Sequence, residues 1–443
     1  MYKFEAIAER LRRDLDAKTY IDRLPSERHL ARQLKTTPVT LRKAQALLVA
    51  EGRLVKRPPL GTFVATPARP KIRVSLLLPL FTPGVMSEIG GRFREAFPEA
   101  DIEFLTRGGP MTPRVDCDLV GIPGVSPVAC ADLGVPFDGG VLERLPLAHY
   151  FEQAFRVHQV EDRYYGLPVL FSPMVLLGDR AVLEAGGFDT APYSLDAAAL
   201  AAMADEARRR GMALWDGETV FRVMRSLVFA AAGESDALWR VNEASLRAAW
   251  AQWAPLFARD LVVPGDHLLS EDRMLLRWSC RQALAHYDPA RTVLYAWPRG
   301  LRAATGVAGE FLLLNRNSPH RALAARVALH FLDPAIQAVL GRNGIGLPVL
   351  KGAAVDCLGT RPWRDDIFLA EVRHICANSA REHEFLHRLT HLARALVDGG
   401  LGADQALRQI EAEIDFARQR HALRQAFLTR CEEPAGEASL AFG

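Results

Sequence analysis

The sequence predicts a small helical domain with a two-stranded β wing, followed by a much longer α/β domain. Three observations support this division. Two helix-start signals and two β-prone runs lie within the first 64 residues, positive charge is concentrated in residues 1–71, and strand-like runs alternate with helical runs beyond residue 71. The chain therefore contains at least two separately organised parts.

A short helix is predicted from about Glu27 to Leu34. Ser26 can cap its start by accepting a backbone N–H from two or three residues further on. Leu30, Ala31 and Leu34 give the helix one apolar face. We therefore expect it to pack on one side and to be exposed on the other.

A second helix is predicted from Pro38 to Glu51. Thr37 is its N-cap, Pro38 occupies the first helical position, where no N–H is needed, and Gly52 ends it. Its apolar residues recur at i, i+3 and i+7 and should pack inward. The residues left facing outward near its start are Val39, Thr40, Arg42 and Lys43. The N-terminal end of such a helix is the part of a recognition helix that enters the major groove of DNA.

Two β-prone runs, 54–57 and 62–64, are joined by Pro58-Pro59-Leu60-Gly61 and predict a two-stranded wing. Residues 1–71 contain 16 Lys and Arg against 7 Asp and Glu, a net charge of +9, which leaves −6 on the rest of a chain whose total is +3. A basic stretch alone would more often be a solvated helical surface. Here the helix, turn and wing signals agree in order, so the domain is predicted to bind double-stranded DNA.

This first domain resembles the GntR family of bacterial winged-helix regulators over about residues 2–65. The motifs that carry the resemblance are Ile7-Ala8, Leu11-Arg12, Leu24-Pro25-Ser26-Glu27-Arg28, Leu30-Ala31, Thr40-Leu41-Arg42-Lys43-Ala44, Leu47-Leu48, Glu51-Gly52 and Gly61-Thr62-Phe63-Val64. The resemblance implies DNA contacts by Arg28, Thr37, Thr40, Arg42 and Gly61. Lys43 on the second helix and Arg57 on the wing complete the predicted DNA-binding set.

Three positions depart from the family pattern. The family commonly has glycine where Lys35 stands, arginine where Pro38 stands and glycine where Pro59 stands. The loss of an arginine at Pro38 removes a base or phosphate contact. We therefore expect the domain to fold but to prefer a different operator.

The remaining residues, 72–443, are enough for one large domain or two lobes. We expect domain limits at 1–65, 66–71 for a stiff linker, 72–430 for the second domain and 431–443 for a flexible tail. The start of the chain lacks the pattern of a signal peptide and the apolar runs are too short to span a bilayer, so a cytoplasmic protein without a membrane partner is expected. Six cysteines without a C-x-x-C pair are expected to be free thiols.

The second part alternates strand-like and helical runs. Strands are predicted at 72–78, 102–105 and 118–122, with a helix at 85–97, which indicates an α/β domain with a mainly parallel sheet. Longer helices are predicted at 195–210, 243–258, 319–332, 383–397 and 403–430.

Two blocks in this part resemble the sugar-binding proteins of ABC transporters. The first block is Tyr165-Gly166-Leu167-Pro168-Val169 with Gly178, Glu184 and Gly186-Gly187-Phe188. The second is Asn317-Ser318, Ala322, Ala325, Phe331-Leu332-Asp333-Pro334, Gln337 and Gly344 to Val349. The resemblance implies a two-lobed periplasmic-binding fold over about residues 72–425, with a small ligand held between the lobes. Without it, each motif would also suit a generic α/β domain.

Sugars are held by aromatic faces and by polar side chains at their hydroxyls, and ligand sites lie in clefts. The ligand-binding candidates chosen by position are Phe81, Phe171, Trp215, Asp216, Tyr287, Asp288 and Trp297. Trp215 and Tyr287 are the first choices, because each precedes a carboxylate in a predicted loop. Core packing is the alternative role for each of these aromatic residues.

Metal binding and catalysis are weakly supported. His383, His387 and His391 recur every four residues, but they lie opposite the apolar face of their helix and cannot easily surround one ion. The phosphate-loop, nucleophile-elbow and H-E-x-x-H motifs are missing, and Lys351 has an unpersuasive context for pyridoxal phosphate. We therefore expect no enzyme activity, no cofactor and no metal.

Taken together, the sequence predicts a transcription regulator that binds a palindromic operator as a homodimer and responds to a small effector, a sugar or oligosaccharide, in its second domain. The alternative is a DNA-binding dimer whose degenerate second domain binds no ligand and serves dimerisation or protein interaction.

Overall fold

The computed structural model describes residues 2–65, 69–77, 81–106, 116–123, 133–137, 142, 145–160, 163–191, 193–233, 237–263, 273–301, 305–344, 346–358, 363–376 and 383–432. The chain divides into two compact units, with the boundary in the sequence between Pro70 and Lys71. Residues 66–68 of the expected linker, 433–443 of the expected tail and Leu78 of the first expected strand lie outside the described residues.

The first unit contains three helices and a two-stranded wing. The helices are α1 Lys3–Asp16, α2 Glu27–Gln33 and α3 Pro38–Ala50, and the strands are β1 Leu54–Arg57 and β2 Gly61–Val64. The two strands pair antiparallel. A small core that includes Leu11, Leu30, Leu41, Leu48 and Leu54 holds the unit together. The predicted winged helix-turn-helix is confirmed.

Two local details of this unit concern its turns. Ser26 stands at the N-cap of α2, but its side chain makes no capping hydrogen bond, which corrects the role expected for its hydroxyl. Thr37 does cap α3, because its Oγ1 accepts from the backbone N–H of Thr40 at 3.2 Å. Lys35, in the turn between the two helices, has φ +47°, a left-handed conformation that glycine adopts more readily. The commonest family residue at this position is therefore the one that its backbone favours.

The second unit contains two lobes, each with its own sheet and apolar core. Its strands are β3 Lys71–Leu76, β4 Asp101–Thr106, β5 Leu119–Pro123, β6 Gly134–Val135, β7 Gln159–Val160, β8 Arg163–Tyr164, β9 Gly166–Pro173, β10 Val175–Asp179, β11 Trp215–Asp216, β12 Val262–Val263, β13 Arg277–Ser279, β14 Thr292–Ala296, β15 Val307–Asn315 and β16 Leu347–Pro348. Its helices are α4 Pro83–Ala96, α5 Glu152–Arg156, α6 Arg180–Ala185, α7 Ala197–Arg210, α8 Gly217–Ala230, α9 Glu243–Trp253, α10 Arg321–His330, α11 Pro334–Asn343, α12 Lys351–Asp356, α13 Asp365–Glu371, α14 His383–Val397 and α15 Ala403–Glu432.

Lobe 1 is built on a mixed sheet in the order β16-β9-β15-β5-β3-β4, with β6 beside β15. Strands β3, β4 and β5 are parallel to one another, whereas β15 runs antiparallel to both β5 and β9. The expected mainly parallel sheet is therefore wrong beyond its first three strands. The βαβ rhythm ends at β5, because β15 joins the sheet only after the chain has built the other lobe.

The two sequence blocks of the second unit meet in lobe 1. Leu347 and Pro348 in β16 pair with Phe171 and Leu170 in β9, so the two blocks lie on neighbouring strands, with the second Gly-Leu-Pro opposite the residues that follow the first. The fully buried Gln337 joins them, because its Nε2 donates to Val169 O at 3.0 Å and its Oε1 accepts from the Val349 N–H at 2.6 Å. These hydrogen bonds join the two blocks within lobe 1.

Lobe 2 is built around a small antiparallel sheet, β13-β10-β14, which is covered by helices α7 to α9, α14 and α15. The chain enters lobe 2 at Met174, between β9 and β10, and returns at Gly306, before β15. A third segment, His374 to Cys376, runs beside these two. Thr305 connects the segments, because its N–H donates to His374 O and its O accepts from the Cys376 N–H, each at 3.0 Å.

Candidate DNA interface and ligand-binding region

The start of helix α3 presents the predicted recognition surface. Arg42 and Lys43 are exposed, Thr40 is half-buried, and Val39 is 61% exposed although it is apolar. The hydroxyls of Thr37 and Thr40 lie 2.9 Å apart, which fixes both side chains at the first turn. An exposed apolar side chain between hydroxyl and basic groups is suited to the methyl and acceptor groups of base edges.

Glu27 lies on the basic surface and organises part of it. Its carboxylate accepts from Arg42 Nε at 2.8 Å and pairs with Lys56 Nζ at 3.4 Å. Burial alone would raise the pKa of Glu27, but the hydrogen bonds from Arg42 and Lys56 outweigh burial and lower it. Arg42 is therefore held by an intramolecular partner, whereas Arg28 is exposed on the neighbouring helix.

Two guanidinium groups, one from the wing and one from the segment before α2, lie against the ring of Phe63 in the wing. Arg57 lies 5.2 Å and Arg23 lies 5.6 Å from the centroid of the Phe63 ring. Gly61 has φ +118°, and a Cβ there would lie 3.0 Å from the Arg23 guanidinium. Arg23 and Lys56 were missed by the sequence reasoning. The position of Arg23, directly before the Leu24-Pro25 motif, was the available signal.

Most ligand-binding candidates lie in the cores of the lobes. Phe81 and Phe171 belong to the core of lobe 1, and Trp215 and Trp297 are fully buried in lobe 2. Trp215 lies in strand β11 rather than in the predicted loop, and its indole N–H donates to Leu256 O at 3.0 Å. These four aromatic side chains contribute to the lobe cores in this conformation.

Trp297 and Asp216 also have hydrogen-bond partners inside lobe 2. Trp297 donates to Ser226 Oγ at 3.1 Å. Asp216 caps helix α8 by accepting from the Thr219 N–H at 2.7 Å. Both residues have structural partners in the interior, so neither polar group is directed to a cleft surface.

Tyr287 and Asp288 both line a cavity of about 240 Å³ at the carboxyl end of strand β10. Arg277 lies 5.4 Å from the centroid of the Tyr287 ring, and Arg291 pairs with Asp179 at 2.9 Å. The cavity therefore combines an aromatic ring, two carboxylates and two guanidinium groups. Such groups can hydrogen-bond the hydroxyls of a small polar ligand.

A second polar group lies near the point where the chain passes between the lobes. Arg222 stacks 4.3 Å from the centroid of the Trp278 ring, pairs with Glu218 at 2.7 Å and reaches Met174 Sδ at 3.8 Å. A Cβ at Gly306 would lie 2.6 Å from Met174 Sδ, so glycine permits this close approach. Sequence reasoning missed Trp278, because it searched loops and Trp278 lies in strand β13.

The turn after β13 contains a buried ion pair. Arg281 Nε and Nη2 each donate to Asp365 at 2.7 Å, and Nη1 donates to Gly344 O at 2.9 Å. Ser279 Oγ and Gln282 Oε1 beside it are buried without a hydrogen-bond partner among the described residues. Buried polar atoms of this kind are candidates for a ligand or an ordered water.

Two further properties concern function classes. Within the described ranges, no group of three or more His, Cys, Asp or Glu residues is placed to hold a metal ion, and His387 and His391 are exposed. No single helix in the same ranges is long and apolar enough to cross a membrane, although the bent pair α10 and α11 passes that test jointly. That pair packs within the core of lobe 1.

Comparisons with known proteins give matches for both domains of the chain. Residues 3–64 match the family model described as bacterial regulatory proteins, gntR family. A comparison with curated proteins gave no match.

The second unit is similar to solved solute-binding proteins. UgpB from Mycobacterium tuberculosis, in complex with glycerophosphocholine, has a TM-score of 0.63 and 15% identity, covering 79% of this chain and 99% of its own. The sugar-binding protein MalE from Xanthomonas citri has a TM-score of 0.62 and 15% identity, covering 81% and 99%. Maltose-bound MalE3 from T. maritima has a TM-score of 0.61 and 15% identity, covering 78% and 99%. The chain thus joins a winged-helix domain of the gntR family of bacterial regulatory proteins to a two-lobed domain with the periplasmic-binding-protein fold.

Proposed function

We propose that this protein is a transcription regulator whose operator affinity is controlled by a small, hydroxyl-rich ligand, a sugar or oligosaccharide, bound by its second domain. The observation that carries the proposal is the union of the two folds in one chain. The gntR-type domain supplies DNA binding. The second domain has the fold of proteins that bind maltose or glycerophosphocholine in their solved structures.

The DNA-binding part of the proposal rests on the exposed start of helix α3 and on the wing. Arg28, Arg42, Lys43 and Arg57 supply positive charge, and Thr37, Thr40 and Gly61 shape the surface at the helix start and at the wing. Phosphate neutralisation by such residues gives affinity, whereas contacts to base edges give sequence preference. Binding to a palindromic site as a homodimer follows if each copy presents one recognition helix.

The ligand part rests on two polar groups in the second unit. One is the cavity lined by Tyr287 and Asp288, and the other is the Arg222 and Trp278 pair near the lobe crossing. A ligand that prefers one arrangement of the lobes shifts the population toward it. A preference of about 1 to 3 kcal/mol suffices to change operator occupancy substantially.

The test begins with DNA selected from a pool of random duplexes by the purified full-length protein. We expect an inverted repeat, bound with an affinity that falls steeply with salt. Maltose, glycerophosphocholine and a panel of monosaccharides are then added, and both thermal stability and affinity for the selected DNA are measured. A saturable stability increase with a change in DNA affinity supports the proposal. Failure to enrich any sequence overturns its DNA part.

Two variants locate the ligand. Tyr287→Ala tests the cavity, and Trp278→Ala tests the group near the crossing. We expect one of them to abolish the ligand-induced stability increase while DNA affinity without ligand stays unchanged. If both variants respond like the wild type, the two candidate positions are wrong.

The alternative function is a DNA-binding dimer whose second domain has lost its ligand and serves dimerisation or protein interaction. The burial of Phe171, Trp215 and Trp297 favours it, because these aromatic residues are used to build the lobes. A panel without any stability increase, combined with sequence-specific DNA binding, would select this alternative.

A further inference from the structure

The long C-terminal helix α15 has two different faces. One face packs on lobe 2, where Ala406, Ile410, Ile414 and Ala417 are buried. Arg418 strengthens this attachment by donating to Val241 O at 2.7 Å and by pairing with Glu243. The first half of the helix is therefore fixed to its own lobe through one face only.

The other face carries a regular stripe of exposed residues. They follow one another at alternating intervals of four and three residues, and they are Gln405, Gln409, Ala412, Phe416, Gln419, Leu423 and Ala426. Phe416 is 51% exposed and Leu423 is 72% exposed, the latter among the most exposed large apolar side chains in the described chain. A spacing that averages 3.5 residues is the repeat of a two-stranded coiled coil.

The stripe assigns heptad positions to the residues beside it. With Phe416 and Leu423 at a positions, Ala412, Gln419 and Ala426 fall at d positions. The flanking g positions then hold Arg408 and Asp415, and the flanking e positions hold Glu413 and Arg420. These four flanking residues are charged, whereas the other two flanking positions of the segment hold Ala406 and Ala422.

These charges are complementary to those of a second copy in parallel orientation. In a parallel pair, a g residue faces the e residue five positions later on the partner helix. Arg408 then faces Glu413 of the second copy, which also pairs with Arg388 of its own chain at 2.6 Å. Asp415 faces Arg420 of the second copy. Two-fold symmetry repeats each pair, so four opposite-charge contacts flank the seam. In an antiparallel pair g residues face g residues and e residues face e residues, so Asp415 would face either Asp415 or Arg408 of the second copy, depending on the register. The parallel pair is the arrangement in which all four contacts join opposite charges in one register.

We propose that residues 405–426 of α15 form a parallel two-stranded coiled coil with the same segment of a second copy of this chain. Phe416 and Leu423 form its apolar layers, and Ala412 and Ala426 allow close approach of the two backbones. Gln409 and Gln419 lie in the seam, where polar residues fix the register at a cost in stability. The inference concerns the chain without DNA or ligand and does not depend on the proposed function.

The first test measures the mass of the full-length protein in solution by sedimentation equilibrium. We expect a dimer that Leu423→Glu converts to a monomer, because the substitution places two like charges in the seam. Gln425→Glu is the matched control, since it adds the same charge to the same turn outside the stripe, and it should remain dimeric. A wild-type monomer, or a Leu423→Glu dimer of unchanged stability, would overturn the proposal.

The second test uses a charge exchange that is specific to the parallel orientation. Asp415→Arg and Arg420→Asp should each weaken dimerisation by about tenfold, since each replaces two attractions by repulsions. The double variant should recover the wild-type dissociation constant, because the attractions are then restored with reversed sign. Recovery supports the parallel pairing, whereas a double variant that is weaker than both single variants excludes it.

Discussion

The buried ion pair between Arg281 and Asp365 gives the sharpest stability prediction. Both side chains are at most 3% exposed, and the carboxylate accepts two hydrogen bonds of 2.7 Å from the guanidinium. Asp365→Ala leaves a buried guanidinium that still donates to Gly344 O but has lost its carboxylate. The loss of one partner of a buried pair costs about 3 to 5 kcal/mol, so we expect a decrease of that size in the free energy of unfolding.

The neighbouring residue supplies the control. Asp366 pairs with Arg364 at 3.0 Å, but the two side chains are 60% and 53% exposed. Asp366→Ala removes a carboxylate from the same first turn of α13, and an exposed pair of this kind contributes only about 0 to 1 kcal/mol. Urea unfolding followed by tryptophan fluorescence measures both variants. Equal losses of stability would refute the argument that burial determines the contribution of the pair.

Three further predictions concern other parts of the chain. Lys35→Gly should stabilise the first domain by about 1 kcal/mol, because glycine adopts the left-handed backbone conformation of this position without strain. Calorimetry of the full chain measures the change, and a decrease in stability would mean that the lysine side chain contributes more than its backbone conformation costs. Lys43→Ala should reduce the slope of log affinity for DNA against log salt by about one, while Arg10→Ala on α1 leaves it unchanged; equal slopes would remove Lys43 from the interface. Burial lowers the pKa of His158 to about 4. Between about pH 6.5 and 4 the unfolded chain therefore binds a proton at this histidine that the folded chain does not. The free energy of unfolding should fall by up to about 1.4 kcal/mol per pH unit as the pH decreases through that window. His158→Phe should remove this component of the pH dependence, and an unchanged pH profile would show that other groups cause it.

The first domain was predictable because its signals are local. The N-cap at Thr37, the proline at the first position of α3 and the glycine after it fix the helix limits within a few residues. The wing follows from two β-prone runs and a short turn. The contact between Arg42 and Glu27 was not predictable, because it joins residues 15 positions apart on two helices.

The second domain was predictable in its two-lobed class, but not in the contact between its two sequence blocks, its sheet directions or the burial of its aromatic residues. The direction of β15 depends on a return from lobe 2 that no local pattern records. Trp215 is buried because Leu256 and Phe257, 41 and 42 positions away, enclose its indole. A carboxylate next to an aromatic residue therefore indicated a helix cap at Asp216 rather than a cleft.

The three chain segments that cross between the lobes restrict how the lobes can move. Met174, Thr305 and Cys376 lie side by side and are hydrogen-bonded to one another or to their neighbours, with Thr305 Oγ1 donating to Met174 O at 3.4 Å. Three segments joined in this way should resist twisting and sliding more than they resist bending across their common width. We therefore expect the lobes to move mainly by rotation about one axis through these segments, which would leave a molecule held between them one principal motion through which to act.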